Sequence, residues 1–337
     1  MQDSKYIFFS APYDHQREAF EASADAQSFA LLLDMGTGKT KVTLDTVGYL
    51  FEKSAVEFVL VVAPKGVVAN WVPEIEAHLP PRIEREIVLW NPSLSKQRRD
   101  ELNELHTKSP KLKFLLMNVE AFSTKKGTDV AELFVNRFKT FMVVDESTTI
   151  KNRRAKRTKA LCAVGRGAVY RRILTGSPVT RSPLDLFSQM AFLDPKILGF
   201  SSYYAFQGRY SIVSRRTMGA HSFNQVVGFR RLDELTEKLS EHSYRVKKED
   251  CLDLPDKVYT KREIALTPEQ KRAYDQMKKL ALARLDSGEL STTKNVLTQI
   301  MRLQQICCGN LTDDDGEIHA LPSNRIKELS DLCEEVQ

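Results

Sequence analysis

Nowhere does the chain run apolar for the roughly 18 residues a membrane-spanning helix needs, and its N-terminus lacks the basic, apolar and small-residue succession of a secretory signal. Cysteine is scarce and odd in number. Cys162, Cys251, Cys307, Cys308 and Cys333 form no C-x-x-C pair, which argues against both a disulfide framework and a zinc site. No internal repeat or low-complexity tract interrupts the sequence. These absences lead us to expect a soluble protein of a reducing cytoplasm with no membrane partner. The 337 residues, 42% of them hydrophobic, suffice for one large domain plus part of another.

Acidic residues are absent from two long stretches. Between Ser147 and Leu184 there is none, against ten bases: Lys151, Arg153, Arg154, Lys156, Arg157, Lys159, Arg166, Arg171, Arg172 and Arg181. Between Pro195 and Leu232 there is again none, against Lys196, Arg209, Arg215, Arg216, Arg230 and Arg231. Sixteen bases against a net charge of +6 leave the remainder net acidic. Such segregation suggests a surface for a polyanion, although solvated basic helix faces arise for solubility alone. The aromatics Tyr203, Tyr204, Phe206 and Tyr210 in the second stretch fit a core as well as a stacking platform.

An apolar stretch from Leu31 runs directly into Gly36-Thr37-Gly38-Lys39-Thr40. Glycines permit a tight turn whose N–H groups and following helix N-terminus face phosphate oxygens. Lys39 adds positive charge and Thr40 can hold Mg²⁺. Leu33 stands where the full phosphate-loop pattern has its first glycine, so this loop alone also fits a glycine turn with a solvated lysine. A second apolar run, 141–145, ends in Asp145 and Glu146. Beside a phosphate loop, Asp145 would hold the metal and Glu146 would orient or activate water. By itself such a pair is more commonly an acidic turn after a buried strand than a metal site.

Strand-like runs at 29–34, 58–63, 86–90, 114–119, 141–145 and 172–175 alternate with helical stretches. This predicts an α/β fold with a mostly parallel sheet covered on both faces, its ligands at the carboxyl ends of the strands. Ser182-Pro183 reads as a helix start, as does Thr267-Pro268 with Gln270; the latter helix should run to about Leu285 and stop at Ser287-Gly288.

The order of these motifs resembles the Swi/Snf-type branch of the superfamily-two helicase-like ATPases. PYDHQREAF (12–20) is similar to the family's adenine-sensing motif, which would set Gln16 against the base, and DMGTGKT (34–40) to its phosphate loop, with Met35 and Thr37 among the nucleotide-binding positions. VVAPKGVVANWVPEI (61–75) resembles the motif where a strand end and helix start meet a DNA backbone and the tryptophan packs. VVDESTTIKN (143–152) resembles the Mg²⁺ and water box, with Ser147 where many members carry alanine and histidine after the acids. LTGSPVTRSPLDLFSQMAFLDPKILG (174–199) resembles the stretch that couples hydrolysis to lobe movement through Thr175 and Ser177. RVKKEDCLDLPDK (245–257), LTPEQKRAYDQM and LQQICCGNL resemble the connection toward a second lobe, and compact spacing resembles bacterial or phage-borne members.

The resemblance implies a RecA-like first lobe at 1–244 with a helical protrusion about 195–244, a linker at 245–262, and the helical start of an incomplete second lobe at 263–337. ATP and Mg²⁺ are the implied cofactors, and double-stranded DNA and a second RecA-like lobe the implied partners. Lys65 and the region 151–159 are the candidate DNA face, with Lys151 and Asn152 serving either DNA or the Mg²⁺ box. Translocation on duplex DNA is the expected activity. An unwinding or annealing motor, a docking module with vestigial nucleotide binding, and more distantly a metabolic P-loop kinase are the alternatives. No second-lobe arginine motif is recognised before Gln337, so slow hydrolysis by this chain alone is expected.

Overall fold

Most of the apolar runs are buried on both sides, which only a sheet covered on both faces allows. In the computed structural model, which describes residues 6–92, 96–107, 109–218, 221–251, 258–286, 293–313 and 316–336, six strands carry these runs. They are β1 (Ser28–Leu33), β2 (Phe58–Ala63), β3 (Arg85–Leu89), β4 (Leu112–Asn118), β5 (Thr140–Asp145) and β6 (Tyr170–Leu174). A hairpin of β7 (Ser211–Met218) and β8 (His221–Phe229) stands apart from them, and β9 (Ser243–Val246) completes a seven-stranded sheet in the order β3-β4-β2-β5-β6-β1-β9. Every pairing in that sheet is parallel. Helices α1 (Asp14–Ser23), α2 (Lys39–Glu52), α3 (Trp71–His78), α4 (Lys96–Leu105), α5 (Lys125–Arg137), α6 (Lys156–Gly165) and α7 (Leu186–Leu193) supply the crossovers and cover. Then follow α8 (Tyr203–Tyr210), α9 (Leu232–Ser240) and the short α10 (Lys248–Cys251).

Two apolar clusters sandwich the sheet. Ala30, Leu32, Leu60, Val62, Met142 and Val144 point to one side. Their neighbours Leu31, Leu33, Val59, Val61, Phe141 and Val143 point to the other. Strand period two thus explains why the runs are continuously apolar.

The chain divides into two compact units, Met1–Leu254 and Pro255–Gln337. In the second, α11 (Pro268–Asp286), α12 (Thr293–Cys307) and α13 (Arg325–Val336) accompany a small antiparallel pair, β10 (Asn310–Thr312) and β11 (Ile318–Ala320). Thr267 and Gln270 cap α11 reciprocally, each backbone N–H donating to the other's side chain at 3.2 Å, as the sequence predicts. Among the described residues no helix is long and apolar enough to cross a membrane.

The structure departs from expectation in several places. The sheet takes in Arg245 and Val246, which the sequence assigned to the linker. The 195–244 stretch is built around a β-hairpin rather than helices alone. Ser182 makes no side-chain cap; instead the Asp185 carboxylate accepts from the N–H groups of Thr180 and Arg181, and a single 3₁₀ turn leads into α7. Leu254 and Pro255, the middle of the expected linker, and the turn at Ser287 and Gly288 lie outside the described residues.

Candidate active site

The glycine loop joins β1 to α2, so the sheet presents it at the carboxyl end of the strand next to edge strand β9. Gly36 and Gly38 lie at φ +80° and +90°, in the left-handed region. A Cβ on Gly38 would stand 2.2 Å from Gln16 Nε2, so glycine is required there by both backbone and neighbour. Thr37 closes the turn, its hydroxyl donating to Asp34 O at 2.7 Å. Its carbonyl is met by His15 Nε2 at 2.9 Å and accepts from Gln16 Nε2 at 3.2 Å. The Gln16 oxygen accepts from Tyr13 N–H at 3.1 Å. The amide that the resemblance sets against a base is therefore bonded to the loop, coupling α1 to it. Beside them opens a cleft of about 470 Å³ lined by Tyr13, His15, Tyr244, Arg245 and Asp250.

Lys39 starts α2, whose first N–H groups have no intrahelical acceptor. Its ammonium curls over the loop, donating to Leu33 O at 2.9 Å and Asp34 O at 3.1 Å. Burial lowers its pKa, opposed by Glu146, Asp145 and Asp34, so these acids converge on the loop. Thr40 is half-buried in the first turn of α2, and Met35 is exposed.

Asp145 ends β5 and Glu146 follows at φ +47°. Trp71 Nε1 donates to Asp145 Oδ2 at 3.0 Å, and Glu146 N–H donates to Oδ1 at 2.9 Å. Burial raises the Asp145 carboxyl above its ordinary range despite these donors and Lys39, and burial followed by the charge of Asp145 raises Glu146. Loop N–H groups, a lysine, a first-turn threonine hydroxyl and a half-buried carboxylate are the donor set that a triphosphate with Mg²⁺ requires. The residues present fit that pair of ligands.

Strand order explains the next connection. Because β6 lies between β5 and β1, the Thr175-Gly176-Ser177 segment leaves the sheet between the acids and the glycine loop. Thr175 is buried and its hydroxyl accepts from Ser177 N–H at 3.2 Å, while Ser177 is exposed. A Cβ on Gly176 would sit 3.2 Å from Asp34 Cα, so the two loops touch. Ser147 donates to Gln189 Oε1 at 2.6 Å in a buried bond. The Gln189 amide in turn donates to Pro178 O at 2.7 Å and Asp185 O at 2.9 Å. Ser188 adds a second tie, its hydroxyl donating to Ile150 O and Lys151 O at 2.7 and 2.8 Å.

Lys151 donates to Thr180 Oγ1 on the loop after β6, and Asn152 Oδ1 accepts from Arg154 N–H at 3.0 Å in a local turn. Lys65 is exposed on the turn after β2. One of the expected surface bases is interior and a second is only partly exposed. Arg172 is fully buried, donating to Ser23 O at 2.6 Å and Ala26 O at 2.7 Å, and burial pushes its pKa down to about 9. Arg171 is half-buried.

Sequence reasoning missed Asp34, His15, Gln189 and Lys248 as parts of the site. Lys248 N–H donates to Asp34 Oδ2 at 3.0 Å, and its ammonium comes within 3.8 Å of the Cβ position at Gly36. The signal lay in β9, too short and polar to read as a strand. Trp71 was noted only as a packing residue, because its partner lies 74 positions away.

A parallel sheet with a glycine loop after β1 and tandem acids at the end of β5, with β6 between them, defines a P-loop lobe of the RecA-like class. The chain belongs to the SNF2-related domain family, whose profile matches residues 15–311. Over 307 residues it is 26% identical to a putative SWI/SNF-related matrix-associated actin-dependent regulator of chromatin subfamily A member 3-like 1 of Arabidopsis thaliana, covering 88% of this chain and 31% of that one. It is 28% identical over 297 residues to the SWI/SNF chromatin-remodeling complex subunit snf22 of Schizosaccharomyces pombe, covering 86% and 17%. The Sulfolobus solfataricus SWI2/SNF2 ATPase core, solved in complex with dsDNA, shares the fold at a TM-score of 0.56 and 23% identity, covering 98% of this chain and 65% of that one. The chain thus spans less than a third of the length of these two curated relatives.

Proposed function

We propose that this chain is the nucleotide-binding half of an ATP-dependent double-stranded DNA translocase. The observation that carries the reading is the hydrogen-bonded path from Ser147 through Gln189 to Pro178, which ties the acid box to the Thr175–Ser177 loop between it and the glycine loop. A nucleotide-dependent change at the acids is thereby felt in the segment that adjoins the basic stretch. The chromatin-remodelling names of the relatives and the duplex bound by the Sulfolobus core support the choice of partner.

In this reading the loop N–H groups and Lys39 hold the ATP phosphates, Thr40 and Asp145 hold Mg²⁺, and Glu146 orients the attacking water. A Mg²⁺ held there would neutralise negative charge on the phosphates. Lys65, Lys151 and Asn152 face the DNA backbone, in contacts that are sequence-independent and salt-sensitive. A second RecA-like lobe completes the site with arginines that reach the transferring phosphate.

Thermodynamic linkage tests the reading. MgATP should change the affinity of the chain for duplex DNA, and Lys39→Ala should abolish both nucleotide binding and that change. Duplex affinity that is identical with and without MgATP would instead favour a docking module and sink the proposal.

A further inference from the structure

Strands β7 and β8 form an antiparallel ribbon whose two faces both lie open. Ile212, Val213, Phe223 and Val227 are each between 44% and 50% exposed. A lone two-stranded ribbon is marginal in water, and one that displays apolar side chains has a partner to meet. The register sets Arg216 opposite Phe223 and, on the alternate face, Arg215 opposite Asn224. No acid occurs between Pro195 and Leu232, so nothing within the ribbon neutralises these guanidinium groups.

The bases at its root are used internally. Arg209 pairs with Glu234 at 2.5 Å, and Arg230 donates to Gly208 O at 2.8 Å. Tyr210, fully buried, donates to Glu234 Oε1 at 3.0 Å, and Arg230 N–H donates to Tyr210 O at 3.0 Å. The ribbon therefore stands on a fixed base. It is also continuous with the first basic stretch, since the Arg153 guanidinium lies 4.1 Å from the Tyr203 ring centre and 5.1 Å from that of Tyr204 at the start of α8.

We propose that the β7–β8 ribbon enters a groove of the duplex, extending the DNA footprint beyond the loops at the sheet end. This rests on the translocase reading above. A two-stranded ribbon is one of the elements a major groove about 12 Å wide admits, and eight residues at about 3.3 Å each are long enough to cross it. Arg215 and Arg216 meet phosphates on opposite sides of the ribbon, and Phe223 packs against the groove wall.

The test is duplex binding by the full chain over a salt series, read by anisotropy of a labelled duplex, with molecular mass recorded at the same concentrations. For R215Q/R216Q the slope of log K against log salt should fall by about 1.8, at about 0.9 per lost phosphate contact. R215K/R216K should keep the slope, and Phe223→Ala should weaken binding with the slope unchanged. If the unaltered chain binds duplex and R215Q/R216Q binds it identically, the ribbon proposal alone falls. If the unaltered chain binds no duplex, the translocase reading falls and takes the ribbon proposal with it. A dimer that Phe223→Ala dissolves would assign the ribbon to a second copy of the chain and also overturn it.

Discussion

Lys41 and Asp45 form an ion pair at 2.7 Å inside α2, both nearly excluded from water. Burial pushes the Asp45 carboxyl up to about 6 from an ordinary 3.8, against the opposing hydrogen bond and charge of Lys41. Between about pH 4 and 6 the folded state therefore holds more proton at Asp45 than the unfolded state does. The contribution of this group to stability falls as pH rises through that window, by on the order of 3 kcal/mol in total. Replacing the pair by apolar residues of similar size, as in K41M/D45L, is neutral or stabilising in comparable cases. Denaturant unfolding of both proteins from pH 4 to 7 should show the variant gaining on the unaltered chain as pH rises. A stability difference that stays constant across that range would contradict the assignment. At this scale the sequence singled out Lys39, Thr40, Asp145 and Glu146 as candidates because chemistry restricts the residue types at a phosphate loop, and the structure sets them at the carboxyl ends of β1 and β5. The sequence could not disclose that Arg172 is interior, since a strand arginine looks the same whether water or the Ser23 and Ala26 carbonyls solvate it.

Among elements, α7 matters most for communication. Gln189 receives the Ser147 hydroxyl and returns its amide to Pro178 and Asp185, so truncation strands several buried groups at once. Gln189→Ala should cost about 1–3 kcal/mol of stability for the unpaired partners. Its larger effect should be on coupling: MgATP binds with near-normal affinity while its influence on duplex affinity is lost. Titrations of nucleotide and duplex, separately and together, check this. Nucleotide affinity lost in parallel with coupling would mean that Gln189 serves only to hold the site together. The six buried strands were legible from their apolar runs, each within about two residues of its observed place. Strand β9 was not, because a four-residue edge strand with Arg245 in it has no apolar run to show. The ribbon carried a usable signal in β-branched Ile212, Val213, Val226 and Val227, which favour extended pairing over helix.

For the whole molecule, the candidate site lies within Met1–Leu254, and among the described residues Pro255–Gln337 contributes helices and one short strand pair rather than another parallel sheet. On the proposed reading, in which a second lobe supplies the arginines, hydrolysis by this chain should be slow, because a cation from across a cleft contributes roughly 10³ to 10⁵ in rate in related chemistry. Steady-state turnover with duplex, compared with Lys39→Ala and with a longer chain carrying a second lobe, measures that factor; fast turnover by this chain alone would remove the need for the second lobe. Local sequence by itself determined the sheet, its covered faces and the loop chemistry, since strand burial and phosphate binding impose residue types over a few consecutive positions. Tertiary structure alone decided that β6 would separate β5 from β1, and hence that the Thr175–Ser177 loop stands between acids and phosphate loop. It likewise joined Trp71 to Asp145, Lys248 to Asp34 and Ser147 to Gln189. Those partners lie 42 to 214 positions apart, and only strand order and crossover packing bring such distant residues within hydrogen-bonding reach.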